Sequence, residues 1–126
     1  PDFSWSGDTA LSQFEGVEES ALLGPSNAAE SIQDGTLSWQ HEFVLRALRL
    51  APGAVVPAHR RAEEEVLFVH YGRLEVCAEE ETVELGPGDT LTTPIGATRT
   101  FQNQGDTDCV VYVTRRYDRP QAPEFL

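Results

Sequence analysis

The stretch from Gly53 to Gly72 reads GAVVPAHRRAEEEVLFVHYG, and the stretch from Gly88 to Asn103 reads GDTLTTPIGATRTFQN. In both, short apolar or alternating runs lie between glycines, which permit the tight turns that separate strands. Side chains alternate between the two faces of a strand, so polar residues two positions apart are expected on one face. Both stretches therefore predict strands that hold several polar side chains together.

The same pattern extends from Gln40 onward. Apolar or alternating runs recur roughly every eight to twelve residues, a spacing typical of an all-β sandwich or small barrel. Strands are predicted over His41–Leu50, Glu65–His70, Arg73–Ala78, Thr82–Leu85, Thr90–Thr93, Thr98–Asn103 and Cys109–Arg115. The region before Gln40 is less regular, and it predicts a helical turn within Ser20–Glu30 and a hairpin at Asp34-Gly35.

The composition excludes several classes of function. The chain has 126 residues, which suits one domain. Its 21 acidic residues outnumber 9 basic ones, and the net charge of -12 would repel nucleic acid or an anionic membrane. All basic residues are arginine, so a lysine Schiff base is excluded. Without a signal peptide or a run of roughly 20 apolar residues, we expect a cytoplasmic protein with reduced Cys77 and Cys109.

The spacing of the two stretches resembles the two signature motifs of the cupin superfamily, G-x5-H-x-H-x3,4-E-x6-G and G-x5-P-x-G-x2-H-x3-N. Seven anchors other than histidine match, namely Gly53, Glu65, Gly72, Gly88, Pro94, Gly96 and Asn103. The resemblance covers about residues 43–115 and implies a jelly-roll barrel whose interior holds the functional pocket. We expect the barrel to span 40–116, with 1–39 as an N-terminal arm or outer strands and 117–126 as an extended tail.

The resemblance also implies a site, and its composition here is unusual. In metal-binding cupins, the two histidines and the glutamate of the first motif and the histidine of the second hold one divalent ion. His59 and Glu65 keep two of these positions, whereas Arg61 and Arg99 replace the other two histidines. A guanidinium stays protonated and offers no lone pair, so it cannot bind a metal. We therefore expect no metal cofactor; a remodelled site would hold one divalent ion near His59 and Glu65.

Two interpretations of these four residues remain open. In the first, Arg61 and Arg99 bind a small anion, carboxylate or phosphate, while Glu65 orients one guanidinium and His59 is a general base. In the second, Glu65 and the arginines form a closed ion-pair network that fills a vestigial pocket, and His59 is a buried structural histidine. If Arg61 and Arg99 converge on one open cavity, two nearby guanidinium groups against one carboxylate are expected to lower the pKa of His59.

Three functions follow from these alternatives. The first is a metal-independent isomerase, cyclase or lyase with His59 and Glu65 as catalytic residues and Arg61 and Arg99 as ligand-binding residues. The second is a dioxygenase-like, metal-dependent cupin with new ligands. The third is a non-catalytic binding or structural cupin, or one half of a two-cupin protein. A homodimer is also expected, because aromatic residues of the N-terminal segment (Trp5, Phe14 and Trp39) can pack on the barrel or on a second copy.

The remaining polar residues have structural interpretations. The acidic runs Glu63-Glu64 and Glu79–Glu81 are predicted to be solvated turns. Arg115-Arg116 is predicted to form a surface ion-pair group beside Asp118. His70 should face away from Glu65, and His41 lies at a strand start. Both cysteines are expected to pack as small apolar side chains.

Overall fold

The computed structural model describes residues 3–5, 9–23, 43–116 and 122–126. Within these residues the secondary structure consists of ten strands: β1 (Val17–Leu23), β2 (Phe43–Leu50), β3 (Val55–Arg60), β4 (Glu64–Tyr71), β5 (Leu74–Ala78), β6 (Glu81–Leu85), β7 (Thr90–Thr93), β8 (Arg99–Gln102), β9 (Cys109–Arg116) and β10 (Glu124–Phe125). The described chain contains no helix that is long and apolar enough to cross a membrane. The predicted all-β class is confirmed.

The strands form two five-stranded antiparallel sheets. The first sheet has the order β1-β2-β9-β4-β7, and the second has the order β10-β3-β8-β5-β6. Consecutive strands often lie in different sheets, so the chain crosses repeatedly between them, as in a jelly roll. The apolar inner faces of the two sheets pack on each other and form one core.

Strand β9 shows how the sequence produces this arrangement. Cys109, Val111, Val113 and Arg115 alternate with less buried residues, so all four point between the sheets. The first three belong to the apolar core, whereas Arg115 lies beyond it at the end of the strand. The barrel interior therefore changes from apolar to charged along a single strand.

We call the two parts of the interior the apolar end and the charged end. The apolar end contains inward residues of both sheets, including Leu67, Val69, Val111, Val113, Val56, Val76 and Phe101. The charged end contains His59, Arg61, Glu63, Glu65, Thr93, Arg99 and Arg115, all of which are buried. It lies where β3, β7 and β9 end and where β4 and β8 begin.

Two anchors of the sequence motifs have structural roles. A Cβ atom on Gly72, which has a φ of 77°, would lie 2.4 Å from the carbonyl oxygen of Asp108. Only glycine fits this approach without displacing backbone. Asn103 donates from Nδ2 to the carbonyls of Leu50 and Thr107 at 2.9 Å and 2.8 Å, and it accepts from the amide of Gly105 at 2.9 Å. Asn103 therefore joins three backbone segments and is fully used by the fold.

Strand β3 was not predicted from the sequence. The run contains Pro57, which has no amide hydrogen to donate and therefore argues against a strand. The structure accommodates it through a shift of register between Val56 and His59, where β3 pairs with β8. On its other side β3 pairs, among the described residues, with the two residues of β10, and the sequence did not predict this pairing either.

The helical turn predicted within Ser20–Glu30 is wrong for its first four residues. Ser20 to Leu23 belong to β1, which pairs with β2. Pairing with a neighbouring strand outweighs weak local propensity. Residues 24–30, the hairpin predicted at Asp34-Gly35, and the predicted positions of Trp39, His41 and Asp118 lie outside the described residues.

The N-terminal aromatic residues pack on the barrel. Phe3 lies edge-on against Trp5 and against Tyr112 of β9, with ring centroids 5.7 Å and 6.0 Å apart. The guanidinium of Arg49 covers the Trp5 ring at 4.3 Å from its centroid. Phe14 contacts Phe125 in β10 at 5.1 Å. The homodimer and the cytoplasmic location stay predictions.

Candidate functional site

Strand register brings the predicted site residues to the charged end. His59 of β3 lies directly opposite Arg99 of β8. In the other sheet, Glu65 of β4 lies opposite Thr93 of β7 and Arg115 of β9. His59 and Arg99 are 0% exposed and Glu65 is 1% exposed, so these side chains point into the barrel from both sheets. The faces inferred from strand alternation agree with this placement.

Arg61 and Glu63 lie between β3 and β4 and complete this group. They are 6% and 3% exposed. Arg61 Nε lies 3.5 Å from Glu65 Oε2, and Arg61 Nη1 lies 3.7 Å from Glu63 Oε1. The amide of Gly96 donates to the carbonyl of Arg61 at 3.0 Å, so the turn of the second motif holds the loop of the first. The prediction that Glu63 is solvated is wrong, because the alternation of buried and exposed residues in β4 already begins before the strand and includes Glu63.

Arg115 is the residue that the sequence analysis missed. It is 4% exposed, and its Nε donates to Glu65 Oε2 at 2.7 Å. The predicted surface ion pair at Arg115 is therefore wrong. The signal was present in the sequence, because Arg115 continues the inward alternation of Cys109, Val111 and Val113.

The charges around Glu65 keep its carboxyl group ionised. Burial acts to raise the pKa of the Glu65 carboxyl, but the charges of Arg115 and Arg61 and the hydrogen bond from Arg115 outweigh it and lower that pKa. Burial likewise acts to lower the pKa of Arg115, and Glu65 reverses the effect and raises it. Glu65 is therefore a carboxylate with one oxygen held by Arg115. Its other oxygen, Oε1, has no hydrogen-bond partner among the described residues.

Nearby carboxylates compensate the burial of the Arg61 charge less completely than that of the Arg115 charge. Burial and the charge of Arg115 lower its pKa to about 10, and Glu65 and Glu63 oppose this effect only in part. Even so, Arg61 remains protonated at neutral pH. The charged end thus holds the guanidinium groups of Arg61, Arg99 and Arg115 and the carboxylates of Glu63 and Glu65, and the buried Glu19 also acts on Arg61 and Arg115.

Arg99 is the least satisfied of these cations. Its Nη2 donates to the carbonyl of Pro94 at 3.2 Å. Its Nε and Nη1 are buried and have no hydrogen-bond partner in the described chain. Burial lowers the pKa of Arg99, and Glu65 acts in the opposite direction. A buried cation with unused donors favours the binding of an acceptor beside it.

The hydrogen bonding of His59 fixes its tautomer. Nδ1 lies 2.8 Å from the carbonyl oxygen of Pro57, which can only accept, so Nδ1 carries the hydrogen. In the neutral ring Nε2 then bears a lone pair, and this atom has no partner within the described residues. The ring lies between Phe101 and Phe125, at centroid distances of 5.3 Å and 5.7 Å.

The pKa of His59 is lowered, in the predicted direction. Burial is the largest cause; Arg99 and Arg61 add to it, and the Pro57 carbonyl and Glu65 oppose it. The expectation from the sequence rested on the neighbouring charges alone, whereas burial is the main cause. His59 is therefore neutral at pH 7 and has a basic Nε2.

The side chains at the four ligand positions of the motifs do not fit the divalent ion that these motifs imply. Arg61 and Arg99 occupy two ligand positions and supply positive charge instead of lone pairs. In the part of the chain that the structure describes, no three His, Cys, Asp or Glu side chains form a group able to hold a metal ion. His70 is exposed and packs against Tyr112 on the outside of the first sheet, away from Glu65 as predicted.

The cysteines lie apart from this chemistry. Cys109 is fully buried in the apolar core, and burial raises its pKa to about 11, so the thiol stays protonated. Cys77 is partly buried and lies 3.3 Å from the hydroxyl of Thr82. The buried position of Cys109 agrees with the structural role predicted for it.

Several solved structures share this architecture. The polyketide cyclase RemF from Streptomyces resistomycificus is 20% identical, with a TM-score of 0.75 over 99% of this chain and 80% of that one. The DMSP lyase DddQ from Ruegeria pomeroyi is 20% identical, with a TM-score of 0.73 over 98% and 60% of the two chains. A predicted oxalate decarboxylase from Thermotoga maritima is 18% identical, with a TM-score of 0.72 over 92% and 94%. These similarities concern the fold.

Sequence comparison identifies the family. Curated protein sequences give no match. The family model for the cupin domain matches residues 47–115, more than half of the chain and the region that contains both motifs. The chain therefore belongs to the cupin family.

Proposed function

We propose that this protein is a small-molecule cupin whose charged end binds an anionic ligand, a carboxylate or a phosphate, without a metal. The observation that supports this proposal most strongly is the state of Arg99, which is fully buried and has two nitrogen atoms without a hydrogen-bond partner in the described chain. An anion would satisfy both its charge and its donors. Arg61 adds a second positive charge at the same end.

The chemistry that fits this arrangement is proton transfer. His59 Nε2 has the lone pair of a general base, because the Pro57 carbonyl holds the ring hydrogen on Nδ1. When the base accepts a proton, a C–H or O–H bond of the ligand breaks and an N–H bond forms at Nε2. The electron pair stays on the ligand, where the guanidinium of Arg99 can stabilise the negative charge. Isomerases, cyclases and lyases all use such a step.

Glu65 contributes as a fixed carboxylate. Because Arg115 and Arg61 lower its pKa, it is ionised and cannot act as an acid at neutral pH. Its negative charge raises the proton affinity of His59 and so favours the imidazolium that forms when the base has reacted. In this proposal Glu65 assists His59, and Arg115 positions Glu65.

A second candidate function is a non-catalytic, structural cupin. It is favoured by the near-complete burial of the site and by the ion pairs that join Arg115 and Arg61 to Glu65. In that case the charged end would be a closed network with no ligand. Ligand binding distinguishes the two candidates.

Calorimetric titration with acetate, propanoate and inorganic phosphate tests the proposal. Arg99→Gln should weaken carboxylate binding by about 1.5–3 kcal/mol, the usual contribution of a hydrogen bond to a charged group. The matched control is Arg60→Gln, which removes an exposed guanidinium that pairs with Glu124 on the barrel surface. Its affinity should equal that of the wild type. Equal affinities of the wild type and Arg99→Gln would contradict the anion site.

Elemental analysis tests the metal-independent part of the proposal. Protein purified without an affinity metal should contain far less than one equivalent of iron, manganese, nickel or zinc. About one equivalent that is lost in the His59→Phe variant would instead establish the dioxygenase-like alternative with remodelled ligands.

A further inference from the structure

The buried polar atoms at the charged end that lack a hydrogen-bond partner in the described chain include donors and acceptors, and among them are also both side-chain oxygens of Glu63 and the hydroxyl of Thr93. Arg99 Nε and Nη1 are donors. His59 Nε2 is an acceptor, because the ring hydrogen is on Nδ1. Glu65 Oε1 is an acceptor as well, because the carboxyl group is ionised. A ligand that matches this site must therefore supply both acceptors and a donor.

The unused donors and the acceptor of His59 lie close enough to contact one small molecule. His59 and Arg99 are directly opposite each other on adjacent antiparallel strands. The Cβ atoms of such pairs are about 4.5–5.5 Å apart, and both side chains point inward. The charges of Arg99 and Glu65 both act on His59, which also places the three groups around one region.

A simple carboxylate satisfies only half of this set. Its oxygens accept from Arg99 but offer no hydrogen to His59 Nε2 or Glu65 Oε1. Binding would leave these acceptors buried without a donor, which costs free energy. A hydroxyl group attached close to the carboxylate supplies a donor for one of these two acceptors.

We infer that the ligand of this site is a hydroxycarboxylic acid, whose carboxylate accepts hydrogen bonds from Arg99 and whose neighbouring hydroxyl donates to His59 Nε2. This inference rests on the proposed anion site and specifies its ligand class. His59 and Arg99 then bind two different groups of one molecule. His59 thereby becomes a determinant of specificity as well as a candidate base.

Matched pairs of acids test the inference on the wild-type protein. The pairs are glycolate with acetate and 2-hydroxypropanoate with propanoate, which differ by one hydroxyl group. Sites that bind a substrate hydroxyl through buried polar groups discriminate strongly against analogues that lack it. Titration calorimetry should show each hydroxy acid binding at least about tenfold more tightly than its partner.

Variants separate the two contacts. His59→Phe keeps an aromatic ring between Phe101 and Phe125 and removes the acceptor. The preference for the hydroxy acid should fall below about threefold, while propanoate still binds. His70→Phe, which replaces an exposed histidine on the outer face, is the matched control and should keep the full preference. Arg99→Gln should weaken both members of each pair.

A spectroscopic measurement on the wild type avoids any dependence on how the variants fold. In histidine labelled with nitrogen-15, the Nε2 resonance of His59 should move when 2-hydroxypropanoate is added and should move much less with propanoate. The His70 resonances should stay unchanged with both.

The possible outcomes are distinct. Equal binding of the two members of each pair, or an Nε2 resonance that does not respond to the hydroxy acid, would overturn the hydroxycarboxylate inference and leave the anion site intact. Failure of all four acids and of phosphate to bind would overturn the anion site and the inference together. A hydroxyl preference that persists in His59→Phe would overturn the assignment to His59.

Discussion

The charged end and the apolar end of the barrel share strands β4, β8 and β9, and along these strands they lie two residues apart. Glu65 is followed by Leu67 in β4, and Arg115 is preceded by Val113 in β9. All four side chains are almost fully buried. Strand alternation therefore buries a side chain whatever its polarity, and the environment it enters depends only on its position along the strand.

The two ends differ in what burial does to the free energy of folding. At the apolar end, removing side chains such as Phe101 and Val111 from water stabilises the barrel. At the charged end, burial removes water from three guanidinium groups and two carboxylates, and ion pairs recover only part of that cost. The apolar end therefore supplies the stability that keeps the charged end closed. Such an arrangement is typical of a functional site, where local rules of folding are broken.

The largest expected effect is at the Arg115–Glu65 pair. Arg115→Met should lower the free energy of unfolding by about 3–5 kcal/mol, because it leaves the carboxylate of Glu65 buried with only the longer contact to Arg61. Denaturant unfolding measures the loss. The double variant Arg115→Met/Glu65→Leu should recover most of it, since both members of the buried pair become apolar. A single variant as stable as the wild type would show that the pair does not hold the charged end together.

A slightly smaller effect is expected two residues away, at the apolar end. Leu67→Ala should lower the free energy of unfolding by roughly 2–5 kcal/mol through lost apolar burial and a residual cavity. Because no charge is involved, this loss should not change with salt concentration. Denaturant unfolding at low and high salt is the measurement. A salt-dependent loss would mean that the two ends are coupled and that the comparison between them is too simple.

The same contrast explains which features could be predicted from the sequence. The apolar alternation and the motif spacing were sufficient for the all-β class, for most strands of the barrel and for the burial of His59, Glu65 and Arg99. Arg115 and Glu63 were misplaced because charged residues were assigned to the surface by their type, although Arg115 continues the inward alternation of β9 and Glu63 extends that of β4. Position within the strand pattern was the better guide.

The two strands that the sequence did not predict, β3 and β10, were missed for a different reason. β3 contains Pro57, and its pairing depends on a register shift that no local pattern encodes. β10 has only two residues, and it exists because Glu124 and Phe125 meet Arg60 and His59 of β3 in the folded barrel. The tautomer of His59 likewise depends on the carbonyl of Pro57. The two residues are close in sequence, but their contact lies at the register shift of β3. Such features follow from tertiary structure and not from composition or periodicity.

The smallest expected effect is a dependence of stability on pH that comes from His59. Burial lowers the pKa of His59 below 6.5, the ordinary value that the unfolded chain retains. As the pH falls below 6.5, the unfolded chain binds a proton at this position before the folded chain does, so stability decreases. The slope from this one group is at most about 1.4 kcal/mol per pH unit. His59→Phe should lack this component and should therefore lose less stability than the wild type over the same acidic range.

His70→Phe is the matched control for this measurement, because it removes an exposed histidine from the outer face, away from the charged end. Glu65 acts in the same direction but at lower pH, since the arginines lower the pKa of its carboxyl below 4.5 and its contribution is lost only as the pH falls through that lowered value. Unfolding by denaturant at closely spaced pH values separates the two ranges. Parallel curves for the wild type and His59→Phe just below pH 6.5 would mean that His59 is protonated as easily in the folded barrel as in the unfolded chain. His59 would then be largely protonated below pH 6.5, and the proposed ligand site would lose its neutral base and acceptor over that range.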